Sequence, residues 1–195
     1  GITKGEKSFL LAANSDTTTP NTLELSAIPL EKVKQILSGI QAQQLLTVID
    51  ACRNDPDSGR GEEDNLLTND FSRGFKIKRS RDNSGTPSVS ATLYACNIGE
   101  RAYEWVDKGH GVFSYYLLEG LKGKAANSRG EIIVVTDLAD YTQREVMRWA
   151  GEFRGKKQTP WLDQSGGAKL VLVENRLGVV QAERSRLEEE LAQVQ

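Results

Sequence analysis

The chain has 195 residues, 38% of them hydrophobic and 27% charged, with 25 basic and 27 acidic side chains and a formal charge of −2. That length suits one domain with a single core plus an appendage and is short for two. No apolar run nears the roughly 20 residues of a membrane-spanning helix, no leader-like segment is read, and the balanced charge argues for neither nucleic acid nor a membrane surface as partner.

Ser8-Phe-Leu-Leu-Ala-Ala13 reads as a short strand, followed by a polar loop through Leu23 and a helix cap at Ser26. From Pro29 to Ile40, Leu30, Val33, Ile36, Leu37 and Ile40 recur at three- and four-residue steps, the spacing of an amphipathic helix that packs on a sheet. Leu45 to Ile49 is a continuous β-branched apolar run, the pattern of a strand buried on both faces of a parallel sheet. Residues 54–88, rich in Gly, Ser, Asn, Asp, Arg and Lys, are expected to form a long exposed loop.

Val89 to Cys96 is the next predicted strand, Val112 to Leu121 the next helix, and Ile132 to Val135 a short apolar strand. A further helix runs from Val135 to about Trp149 with Thr136 as its cap, and Ala168 to Val173 is the last strand. Strands alternating with helices indicate an α/β sandwich on a mostly parallel sheet. We therefore expect one domain over residues 1–175 and a helical extension over 176–195. There Val179, Val180, Leu187, Leu191 and Val194 interrupt Glu, Arg and Gln, as in a helix leading to a coiled-coil partner. A solvated terminal helix fits those few turns equally well.

Two cysteines, Cys52 and Cys96, are too few for a disulfide scaffold and sit at the ends of apolar runs, which fits a reducing, cytoplasmic setting. Cys96 reads as a small buried hydrophobe. Cys52 differs, because a strand ending in Asp50-Ala51-Cys52-Arg53 puts the thiol at the carboxyl edge of a parallel sheet, where open α/β folds form ligand crevices. A thiol there becomes a nucleophile when a histidine helps it ionise and backbone N–H groups receive the oxyanion.

Asp50-Ala51-Cys52-Arg53, followed by Asn54-Asp55-Pro56, resembles the nucleophile motif of bacterial caspase-like and metacaspase-type cysteine peptidases. The stretches Ser90 to Glu104, Gly109 to Leu121 and Gln158-Thr159-Pro160 are similar to later segments of that clan, in the same order, so the resemblance covers roughly residues 5–175. It implies a caspase-like three-layer α/β/α sandwich, incomplete at its N-terminus, and a cysteine endopeptidase acting on protein substrates. Cys52 would be the nucleophile, and the backbone N–H groups of Cys52 and Gly1 would be oxyanion donors. Asp50 and Glu104 would line a specificity pocket, two carboxylates that favour Arg or Lys in the substrate. As alternatives, Asp50 braces the strand end and Glu104 is a solvated loop acid.

Arg60, Arg73, Lys76, Lys78, Arg79 and Arg81 would offer sites for self-processing within 57–88. No cofactor or metal is expected; Asp55, Asp57, Glu62, Glu63 and Asp64 are the candidate ligands for calcium but lack an ordered spacing. The sole histidine, His110, sits at the mouth of a helix and reads as a capping or surface residue. In the resembled clan the catalytic histidine precedes the cysteine, in a Gly-His-Gly setting ahead of a strand such as Ser8 to Ala13, so it is expected outside these 195 residues. The competing reading is a non-catalytic caspase-like module for peptide binding or assembly.

Overall fold

The computed structural model describes residues 2–4, 7–50, 71–72, 75, 88–126, 132–166, 169–174 and 184–186. Gly1, Cys52 and Arg53, the acids between Asp55 and Asp64, and the basic residues of 60–81 lie outside the described residues, as does all of the expected extension except 184–186.

β1 (Ile2–Lys4), β2 (Lys7–Leu10) and β3 (Ile28–Pro29) form a small antiparallel sheet. Between β2 and β3 the sequence suggested a loop ending in a cap at Ser26, but a helix is present, α1 (Pro20–Ser26). Its cap is Thr19, which forms a reciprocal capping box with Thr22, and proline at the first turn costs no helix hydrogen bond. Ser26 instead closes this helix, its hydroxyl donating to the Thr22 carbonyl at 2.7 Å. α2 (Leu30–Gly39) follows, as its apolar spacing predicts.

The main sheet has the order β4-β5-β9. β4 (Gln44–Ile49) runs parallel to β5 (Val89–Tyr94), with Gln44 opposite Val89 and Ile49 opposite Tyr94. β9 (Trp161–Ser165) pairs antiparallel with β5. The sheet is thus mixed rather than mostly parallel, and the expectation of a β4 buried on both faces fails as well. β5 is buried at every position, whereas β4 is half-buried, with Val48 40% exposed, because among the described residues β4 is the edge of this sheet.

No apolar run marks β9, whose residues are Trp-Leu-Asp-Gln-Ser. Its partner creates it: Trp161 stacks on Tyr94 with ring centroids 4.4 Å apart, and the Ser165 and Ser90 hydroxyls are hydrogen-bonded at 2.9 Å. The last strand, β10 (Val171–Glu174), pairs antiparallel with β8 (Ile132–Val134).

Two further helices join Leu30 of α2 in the main core. α3 (Val112–Glu119) runs on into a wide π-type turn at Gly120–Lys124, and α4 (Val135–Arg154) buries Leu138, Tyr141, Thr142, Val146 and Trp149, the stripe of an amphipathic helix. A Cβ on Gly120 would come within 2.6 Å of Leu138 Cδ1, so the absence of a side chain lets the end of α3 approach α4. Thr136 does not cap α4: the helix already begins at Val135, whose N–H donates to the Leu170 carbonyl, and Thr136 is exposed.

The stretch 54–88 is not exposed throughout. Phe71, Ser72 and Phe75 are buried, the two rings meeting edge to face at 5.4 Å. Their backbone is bound to β5: Tyr94 donates its phenol proton to the Ser72 carbonyl at 2.7 Å, and Thr92 Oγ1 donates to the Phe75 carbonyl at 3.3 Å. Burial, reinforced by the Asp163 carboxylate, pushes the Tyr94 phenol upward, which keeps it a donor.

Candidate active site

β4 carries the chain to Asp50, and its last carbonyl, that of Ile49, accepts from the Ala95 N–H at 2.9 Å just beyond β5. Asp50 is half-buried, and its Oδ2 accepts a hydrogen bond from Ser114 Oγ of α3 at 2.6 Å. This is the length of a charge-assisted O–H···O⁻ bond. The bond ties one oxygen of the Asp50 carboxylate to α3.

Glu104 has a different setting. It opens β6 (Glu104–Trp105), which pairs with β7 (His110–Gly111) through Glu104–Gly111 and Trp105–His110. The hairpin turns through Val106–Lys108 and Gly109, whose φ of 64° lies in the left-handed region where glycine is unstrained. β7 leads straight into α3, and the Val112 N–H donates to the Tyr103 carbonyl at 2.9 Å. Asp50 and Glu104 are thus brought to the same end of α3, the first through Ser114 and the second through the hairpin that precedes the helix. The Glu104 side chain is exposed, and so is His110, which forms part of β7 and gives α3 no side-chain cap.

An aromatic cluster supports the hairpin. Trp105 packs on Tyr115 at 5.0 Å and on Trp149 at 5.3 Å, and Lys108 Nζ lies 5.7 Å from the centroids of both Trp105 and Tyr115. Arg154 sits over Trp149 at 5.4 Å and donates to the Glu104 carbonyl at 3.5 Å.

Sequence reasoning matched Gln158-Thr159-Pro160 to a family pattern but gave it no task. Gln158 is fully buried; its amide donates to the Ala95 carbonyl at 3.0 Å, and its Oε1 accepts from the Tyr103 N–H at 3.1 Å. Thr159 adds two bonds to Glu100, from its N–H at 2.6 Å and its hydroxyl at 3.0 Å. The connection from β5 to β6 is clamped at both ends and in the middle. A glutamine two residues before a proline and ahead of a strand is the only signal the sequence holds for this clamp. Cys96, at the start of that connection, is buried, as read from its apolar run, and its Sγ donates to the Glu100 carbonyl at 3.5 Å.

A family model described as caspase domain matches residues 4–171. The chain belongs to the caspase domain family. Searches of curated proteins and of solved structures returned no match. The family assignment makes the chain an α/β domain of a cysteine-type peptidase family, in agreement with the helices and mixed sheets observed. The matched span of this caspase domain includes Asp50, Cys52 and Glu104. Among the described residues, no group of three or more His, Cys, Asp and Glu side chains could hold a metal ion, and no helix is long and apolar enough to cross a membrane.

Proposed function

We propose that this caspase domain is a cysteine endopeptidase that cleaves proteins after arginine or lysine, with Cys52 as nucleophile. The observation that carries the reading is the carboxylate of Asp50, fixed at the carboxyl end of a parallel strand two residues before Cys52. A negative group held there attracts a basic substrate side chain and repels an acidic one, and Glu104 on the adjoining hairpin adds a second negative charge.

The chemistry follows from the thiolate. Its sulfur attacks the scissile carbonyl carbon, the oxyanion is received by backbone N–H groups including that of Cys52, and the C–N bond breaks as the amine leaves with a proton. Water then hydrolyses the thioester and regenerates the thiol. The imidazole that takes and returns these protons is not His110, whose exposed hairpin position suits a surface residue. Gly1 would supply the second oxyanion donor. The helices pack on the sheet in a caspase-like three-layer sandwich.

Basic residues between Arg60 and Arg81 would give such an enzyme sites for cutting its own chain, and a chain with only two cysteines suits the reducing cytoplasm as its setting. The test is hydrolysis by the full-length protein of a fluorogenic peptide ending in Arg. We expect activity that Cys52→Ala abolishes without loss of folding; activity retained in Cys52→Ala would overturn the reading.

A further inference from the structure

Beyond the specificity acid itself, we infer that Ser114 is a positioning residue that sets the preference of this site for arginine over lysine. The inference rests on the reading of Asp50 as the acid that meets the basic side chain. Ser114 lies in the first turn of α3, between a buried Val112 and Phe113 on one side and the aromatic cluster's Tyr115 on the other, so its backbone is held firmly. Its hydroxyl donates to Asp50 Oδ2 at 2.6 Å across the gap from helix to sheet.

An aspartate has two side-chain torsions, and at a strand end nothing in its own backbone selects one orientation of the carboxylate. The Ser114 hydrogen bond constrains that choice, holding Oδ2 and restraining the plane of the carboxylate. Arginine and lysine respond differently to such an arrangement. A guanidinium is a planar fork whose hydrogen bonds need the carboxylate plane to be matched to its own, whereas an ammonium is a compact charge with three rotatable donors that tolerates reorientation. Fixing the carboxylate therefore helps arginine more than lysine, and releasing it penalises arginine more.

The experiment measures kcat and KM of the full-length protein on paired peptides ending in Arg and in Lys, for the wild type, Ser114→Ala, Ser114→Thr and Asp50→Asn. In Ser114→Ala we expect kcat/KM to fall about tenfold for Arg and about twofold to threefold for Lys, the Arg loss matching one charge-assisted hydrogen bond and residing mainly in KM. Ser114→Thr, which keeps the hydroxyl, should restore the Arg preference. Alanine is a good helix former, so Ser114→Ala should keep the wild-type melting temperature within a few degrees.

Equal losses on the two peptides in Ser114→Ala, or no loss on either, would overturn the inference while Asp50→Asn still lowered cleavage after basic residues about a hundredfold. Basic-residue cleavage surviving in Asp50→Asn would instead remove the pocket reading on which the inference stands. The two failures are separate in the data.

Discussion

The two acids assigned to the specificity pocket stand on unlike supports. Asp50 directly follows a six-residue strand paired in register with the fully buried β5, is itself half-buried, and has one carboxylate oxygen bound by Ser114. Glu104 begins a two-residue strand in a hairpin; the hairpin ladder and Arg154 hold its backbone, while its side chain is exposed. Two residues of the same charge at one end of α3 should therefore contribute very unequally. A fixed, partly desolvated carboxylate interacts strongly with a cation, whereas an exposed one must be ordered first and is screened by water and salt.

The largest effect should come from Asp50→Asn. Asn keeps the shape and can still accept the Ser114 hydrogen bond, so the fold survives while the charge is lost. We expect kcat/KM for Arg peptides to fall about a hundredfold, the scale of removing one partner of a partly buried charge pair. Gln158→Leu comes next and acts on the hairpin's support rather than on charge. It leaves the Ala95 carbonyl and the Tyr103 N–H without their partner. A loss of about 2 kcal/mol in urea unfolding is expected, with the slope unchanged. The smallest effect should be that of Glu104→Gln, about a threefold to fivefold loss on Arg peptides, which shrinks further at high salt. An effect of Glu104→Gln equal to that of Asp50→Asn would break the contrast, because it would mean that the hairpin acid is as well fixed as the strand acid.

Elements with their own periodicity were legible before any coordinates. The stripe of α2, the apolar run of β5 and the helix from Val135 could be read directly, as could the strand that delivers Asp50. What stayed hidden depends on partners distant in sequence. β9 is a strand because Trp161 stacks on Tyr94, not because of its own composition. Phe71 and Phe75 are four residues apart, a spacing that could have suggested an anchor, but the intervening Ser, Arg and Gly made the stretch look like solvent-facing loop. The half-burial of β4 could not be read either, since an apolar run looks the same at an edge as in a sheet centre. At the site, the sequence named Asp50 and Glu104 through a family resemblance, yet their inequality lies in Ser114, Gln158 and Arg154, residues whose role emerges only from contacts 50 or more positions apart.

The most direct test of the central claim is the ratio of kcat/KM on two fluorogenic peptides that differ only in ending with Arg or with Asp, measured on the full-length protein with Cys52→Ala as control. We predict turnover of the Arg peptide, none of the Asp peptide, and neither in Cys52→Ala. Turnover of the Asp peptide in preference to the Arg peptide would contradict the account, because a carboxylate fixed by Ser114 at the end of β4 cannot attract an anionic side chain.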